Sequence, residues 1–296
     1  MLIVLAHVGE PIAPHDVWTA WRLEPALIAV AVLTAGLYVR GVRQPDPAAG
    51  RFMAGLGVIL VATISPLEPM SGSLASAHMV QHLIMMLVAA PLLATGAPVE
   101  RIMLGLGTPL RRAVGRIRRH VRLTPSHTAP LRNPVLVAIV VIVVTWWWHG
   151  SIPYGASLDV SIIHHIEHGS FIAVYAWFWW VVFGSRRRRP NASGVLMIFG
   201  VMMSNVLLGG LMTFARVPWY EAYAESTAAW GLTHLADQQL AGALMWVPPS
   251  LVYLPAALWL LVDALDLNHR EPDAGARPGG SVEARSSSDR MALPPE

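Results

Sequence analysis

Residues 134–149 read PVLVAIVVIVVTWWWH. No charged side chain interrupts this run, Arg132 stands just before it, and a tryptophan cluster and His149 close it. A helix crossing a bilayer needs roughly 20 mostly apolar residues, and Trp concentrates where a span meets the headgroups. The run therefore reads as a membrane span that starts on an Arg-flanked side and ends at the opposite interface. Six further stretches outward from it read the same way: Pro25 to Arg40, Phe52 to Leu67, Ala77 to Ala97, Asp159 to Gly184, Ser193 to Ala215, and Asp237 to Val262. The expected fold class is an all-α membrane protein, a bundle of about seven transmembrane helices.

The loops orient the bundle, because cytoplasmic loops are enriched in basic residues. The first loop carries Arg40, Arg43 and Arg51. The third carries a long basic series from Arg101 to Arg132, and the fifth carries Arg186, Arg187, Arg188 and Arg189. The alternate loops, Glu68 to Ser76 and Gly150 to Leu158, hold no Arg, and Val217 to Ala236 follows the single Arg216. This alternation puts the N-terminus outside and the C-terminus in the cytoplasm. It divides the chain into an extracytoplasmic tail over 1–24, a transmembrane domain over 25–265, and a polar cytoplasmic tail over 266–296 expected to be disordered. Within the third loop, Thr108 and Pro109 suit a helix start, and Leu110, Val114, Ile117 and Val121 form one apolar stripe among arginines. A surface helix near 108–122, lying on the inner membrane face, is expected there.

Composition agrees. Apolar residues make up 54% and charged residues 13% of the chain, against about 25% charged in soluble domains. All 21 cationic residues are Arg. Their position in short loops points to anionic headgroups of a lipid bilayer and away from nucleic acid. With no Cys, disulfides and thiolate metal sites are excluded, so any metal must be held by His, Met, carboxylate or backbone groups. The opening MLIVLAHVGEP lacks a basic n-region and does not read as a cleavable signal peptide.

Ionisable residues in membrane spans are costly and usually functional, and here they share one depth. His78 and His82 open the third span, His149 closes the fourth, His164, His165, Glu167 and His168 lie early in the fifth, and Asp237, Gln238 and Gln239 open the seventh after His234. His78/His82 and His164/His168 are each spaced i, i+4 on one helix face, a compact way to offer imidazoles to one ion. Met79, Met85 and Met86 lie close by in sequence, and imidazole with thioether favours copper. Three other readings fit the same residues: a hydrogen-bonded network that locks the bundle, a bis-histidine haem site, and the H-x-x-E-H pattern of inverted zinc proteases at His164 to His168. Nothing else suggests a protease cleft. His7, His15, His120, His127 and His269 read as ordinary surface residues.

Separated motifs then resemble one family. His78-Met79-Val80-Gln81-His82-Leu83 leads to Ala90-Pro91-Leu92-Leu93-Ala94-Thr95-Gly96-Ala97-Pro98. Trp148-His149 is followed by His164 and by Glu167-His168. Gly231-Leu232 precedes Asp237-Gln238-Gln239-Leu240-Ala241-Gly242 and Met245-Trp246-Val247-Pro248. In this order they resemble the CtaG-type multi-spanning cytochrome c oxidase assembly factors of bacteria, over roughly residues 15–265. The resemblance implies a non-enzymatic, chaperone-like role in the bacterial cytoplasmic (inner) membrane. It implies cytochrome c oxidase subunits as partners, and help in forming the oxidase's copper centre. The matching positions imply copper as cofactor and His78, His82, His149, His164, His168 and Asp237 as metal-site residues. A metal-free scaffold for oxidase assembly and a haem-binding or redox membrane protein are the alternatives.

Reporter fusions test the orientation. Fusions after Gly72, Gly155 and Trp230 are expected to report outside, and fusions after Gly115 and Arg189 inside. An outside signal after Arg189 would overturn the seven-span expectation, because that loop carries the densest orienting charge.

Overall fold

A computed structural model describes residues 12–42, 44, 46–120, 130–185 and 192–270. Among these residues every regular element is helical. The helices are α1 (Pro25–Gly41), α2 (Pro47–Ile64), the short α3 (Leu67–Ser71), α4 (Ala75–Thr95), α5 (Pro98–Gly105), α6 (Thr108–His120), α7 (Pro134–Trp148), α8 (Ser151–Asp159), α9 (Ser161–Ser185), α10 (Ala192–Thr213) and α11 (His234–Arg270). Five of them, α2, α4, α9, α10 and α11, are long and apolar enough to cross a membrane, and the bent pair α7–α8 makes a sixth candidate. At 17 residues, α1 reaches only about 26 Å at 1.5 Å per residue, short of the ~30 Å hydrocarbon core.

Local chemistry explains the helix starts. Asp46 accepts from the Ala48 N–H and Asn133 from the Val135 N–H, each just before a proline at the first helical position. The spans are apolar on both faces, unlike a soluble amphipathic helix. On α7, Val137 and Val141 are fully buried, whereas Val135, Ile139 and Val143 point outward and stay more than half exposed. On α6, Leu110 and Ile117 are exposed beside the arginines. The last residues of the expected surface helix, Val121 and Arg122, lie outside the described residues, as do Arg186 to Arg189.

Two elements differ from the sequence reading. The fourth span was expected to end at His149 and lead into a loop over Gly150 to Leu158. Instead α7 ends at Trp148, the chain bends by 68°, and α8 follows at once. The last helix also runs further than expected, to Arg270. The remainder of the expected disordered tail lies outside the described residues.

The bundle is organised around α4, which packs against α2, α9 and α11 and is the most buried of the candidate spans. Its middle, Ile84–Ala89, is a π-helical turn. Pro91 accounts for it, since proline donates no hydrogen bond and crowds the preceding turn. In the wider turn the Met86 carbonyl would look to residue 91, which has no N–H. The Trp179 indole N–H on α9 donates to it instead, at 3.0 Å.

Close crossings fix the remaining pairs. An added Cβ on Gly41 of α1 would fall on the Arg101 carbonyl of α5, and one on Gly105 would fall on the Leu37 carbonyl. Gly242 on α11 faces Thr213 and the Gly209 carbonyl of α10, with a Cβ placed 2.6 Å from the Thr213 nitrogen. Backbone contact of this kind is how helices associate in a lipid medium that supplies no hydrophobic drive. Gly242→Ala is therefore expected to lower the thermal midpoint in detergent, at a cost of about 1–3 kcal/mol from overpacking. Gly36→Ala, where nothing lies within 4 Å of the new methyl, is expected to be neutral or slightly stabilising. Equal midpoints for the two variants would refute the close-crossing assignment.

Candidate metal centre

The i, i+4 spacing on α4 turns His78 and His82 toward α9, and the same spacing on α9 turns His164 and His168 back. The four rings meet. Centroids lie 4.2 Å apart for His78/His82, 4.0 Å for His164/His168, 5.2 Å for His82/His168 and 5.8 Å for His78/His164. The cluster is closed off by apolar side chains. His82 rests against Phe171 at 4.7 Å and His78 against Tyr154 of α8 at 5.1 Å.

Two carboxylates complete it. Glu167 Oε1 lies 3.7 Å from His78 Nε2 and 3.9 Å from His82 Nε2, and its Oε2 lies 4.0 Å from His164 Nδ1. Glu68 Oε1, from α3, lies 3.1 Å from His164 Nε2. Two groups of donors close enough to hold an ion result: Glu68, His164 and His168, and His78, His82 and Glu167. All six residues are buried.

The Gln81 side-chain amide donates to Glu68 Oε2 at 2.5 Å and to the Ala62 carbonyl at 2.8 Å, which holds the carboxylate in place. Burial alone would push the Glu68 carboxyl up. The contact with His164 and the Gln81 hydrogen bond outweigh it and hold the group below the ordinary glutamate value.

Several ring nitrogens have no hydrogen-bond partner within the protein: both on His78, both on His82, and Nε2 on His149 and His168. Leaving a buried polar atom unsatisfied costs about 1–3 kcal/mol, and native proteins hold few such atoms. Those of His78, His82 and His168 lie together, on groups of a kind that can ligate a cation.

The remaining expected residues lie elsewhere. His149 accepts the Tyr220 hydroxyl on its carbonyl at 2.9 Å, and its Nδ1 lies 2.7 Å from the Thr145 carbonyl. It belongs to neither triad, although it stays within electrostatic reach of His78, His82 and Glu167, and it also lines a cleft of about 430 Å³ with Trp146, Gly150, Ser151, Leu208, Leu211 and Trp219. Asp237 spends both oxygens on the start of α4. Its carboxylate accepts from the Ala75 N–H at 2.7 Å, the Ser76 N–H at 3.1 Å and the Ser76 hydroxyl at 2.5 Å. Its neighbours Gln238 and Gln239 bind the Trp219 N–H and the Ala215 carbonyl. Met79 and Met86 pack in apolar clusters, with Tyr154 and Tyr220 and with Trp148 and Phe171 respectively.

The H-x-x-E-H pattern is also redistributed. His164 and His168 pair with Glu68, while the intervening Glu167 also faces His78 and His82. His165 turns away, with Nε2 2.9 Å from a Glu24 oxygen. Sequence reasoning missed Glu68, placed in an Arg-free loop with no role. Its signal was an acid between Pro66 and Pro69 at the edge of a span.

The fold and the site define a multi-span helical membrane protein with a buried imidazole–carboxylate cluster at one end. Residues 27–266 match the family model described as cytochrome c oxidase caa3 assembly factor (Caa3_CtaG), and the chain belongs to that family. Among curated proteins it is similar to an uncharacterized protein of Mycobacterium leprae, 23% identical over 86% of this chain and 40% of the relative. Uncharacterized proteins of Mycobacterium bovis and Mycobacterium tuberculosis are each 25% identical over 84% of this chain and 39% of theirs. The chain thus spans about two fifths of the length of these relatives. No solved structure is significantly similar to it.

Asp237→Ala is expected to destabilise the protein by about 2 kcal/mol, from the lost cap and the orphaned N–H groups, read as a lower thermal midpoint in detergent. Asp237→Asn, which keeps one acceptor oxygen, is expected to fall between. A wild-type midpoint for Asp237→Ala would show that the carboxylate does not hold α4.

Proposed function

We propose that this chain assists cytochrome c oxidase assembly by passing copper to the catalytic subunit. The copper is cargo, held by the buried cluster at the outward-facing end of the bundle. In this reading α1 and the bent α7–α8 pair complete seven spans in the bacterial cytoplasmic membrane, with the N-terminus outside. The role is that of a chaperone without catalysis.

One observation carries the reading: in a chain of the oxidase assembly family, four histidines and two carboxylates from α3, α4 and α9 converge with ring nitrogens left free of protein partners. A metal-free scaffold would have to satisfy those nitrogens with other protein groups or with trapped water. A haem would need a macrocycle where the imidazoles pack edge to face against one another.

The donors also adjust the chemistry. Histidine with carboxylate suits borderline divalent ions better than Cu(I), which favours softer sulfur ligands. Copper reaching this cluster is accordingly read as Cu(II), with Met79 and Met86 forming apolar wall.

The test uses cells deleted for the gene and complemented with variants. His78→Ala and His164→Ala are expected to insert normally, because the spans keep their apolar faces. Each is expected to weaken copper retention by more than the ~10–100-fold typical of losing an outer-shell partner and to yield oxidase with a reduced copper-to-haem ratio. Arg111→Ala, on the exposed face of α6, is expected to do neither. Full copper loading of the oxidase by the His78→Ala, His164→Ala double variant would sink the proposal.

A further inference from the structure

We propose that the buried cluster is a two-ion centre. Glu68, His164 and His168 take one first-row divalent ion, and His78, His82 and Glu167 take a second beside it. This rests on the reading of the cluster as a metal site and adds its ion count, its carboxylate ligands and the class of ion.

The distances carry it. Two donors on one ion with bonds of 2.0–2.2 Å sit roughly 3–3.6 Å apart, whereas hydrogen-bonded atoms sit at about 2.7–3.2 Å. The approaches of Glu167 Oε1 to His78 and His82, at 3.7 and 3.9 Å, are too long for hydrogen bonds. They fall close to the spacing of ligands that share an ion.

The six donors form two groups, each mutually within 4.8 Å. One ion therefore does not reach all six, and two ions do. Glu167 faces both groups through different oxygens, Oε1 toward His78 and His82 and Oε2 toward His164. Its Oε2 approaches Nδ1 of His164, the ring nitrogen opposite the Nε2 that faces Glu68, so Glu167 belongs to the second ion and stands beside the first.

The chemistry agrees. Each group is two imidazoles and one carboxylate, the set found on zinc with an open position and on non-haem iron. Each ion thus meets one negative charge of its own. Among the described residues the ionic partners of Glu68 and Glu167 are imidazoles alone, and two buried carboxylates without a cation are expensive at this depth. Gln81 occupies the second oxygen of Glu68 and leaves Oε1 to point at His164. Outer contacts of this kind orient the ligands of metal sites.

The full-length protein, purified in detergent and stripped with chelator, is titrated with Co(II) and followed by its visible d–d bands. Two Co(II) per chain are expected, with one retained in His78→Ala and one in Glu68→Gln. Loaded with Cu(II), the wild type is expected to give a magnetically coupled spectrum, and His78→Ala the spectrum of one isolated Cu(II). Wild-type stoichiometry decides the matter even where a variant folds poorly. A single ion per chain, abolished by His78→Ala and by Glu68→Gln alike, would overturn the two-ion centre while leaving the copper-transfer reading intact. A folded, monodisperse wild type that binds neither Co(II) nor Cu(II) would overturn both.

Discussion

The carboxylate of Asp237 on the backbone of Ala75 and Ser76 is the contact from which the site follows. It joins the start of the last long helix to the start of the central one, across 161 and 162 residues of chain. Helix α4 has no cap of its own, since Leu74 offers no acceptor at the cap position. Its first N–H groups would be orphaned inside the bundle, where water cannot repay them. An anionic acceptor supplied from α11 solves this and complements the positive end of the α4 dipole. Because His78, Gln81 and His82 all sit within the next two turns, fixing that end fixes three members of the site. Gly242, one turn and a half further along α11, lets the same helix close against α10. The Asp237-to-Gly242 motif is thus a single positioning device.

The site sits uneasily with the rest of the protein. The bundle gives the Met86 and His149 carbonyls at its irregular turns a partner, yet leaves His78 and His82 without one on any ring nitrogen. Satisfying them with serines or backbone carbonyls would have been simple in a structural core. On their outer sides the imidazoles meet Phe171 and Tyr154, whose faces offer at most a weak N–H···π contact. Local frustration of this kind is typical of function, where a fold gives up stability to keep groups available. The same low dielectric that makes the free imidazoles costly would strengthen their hold on any cation that reached them.

Much of this was legible in the sequence because membranes permit so few solutions. Apolar run lengths located α2, α4, α9, α10 and α11, and the i, i+4 histidine pairs located the two faces that meet. What sequence could not give was partner choice. Glu68 reads as one more loop acid until α3 folds it beside His164. Asp237 reads as a ligand by depth and charge, and only the packing of α11 on α4 shows that both its oxygens belong to a helix end. His149 shares that depth too and stays within electrostatic reach of the cluster, yet at the end of α7 it joins neither group of donors. Depth in the membrane is set by position in a span; direction around the helix axis depends on neighbours the sequence does not name. The bend between α7 and α8 was missed for a related reason, since Gly150 and Pro153 mark a loop and a helix restart equally well.

That bend and the π turn of α4 are not defects, and their shared logic explains why the donors can meet at all. Irregular backbone at membrane depth is tolerated only when protein groups take over the freed hydrogen bonds. Both irregularities meet that condition through aromatic side chains: Trp179 donates to the Met86 carbonyl, and the Tyr220 hydroxyl donates to the His149 carbonyl. A straight continuation of α7 would carry Tyr154 away from the bundle. The 68° bend instead lays it over His78 and stacks it on Tyr220 at 3.9 Å, with its hydroxyl 3.0 Å from that of Tyr223. Tyr223 in turn donates to the carbonyl of Ser71, four residues before Ala75. The tyrosines therefore tie α8, the segment before α11 and the approach to α4 into one cover over the imidazoles, and the irregular helices are what allow that cover to close.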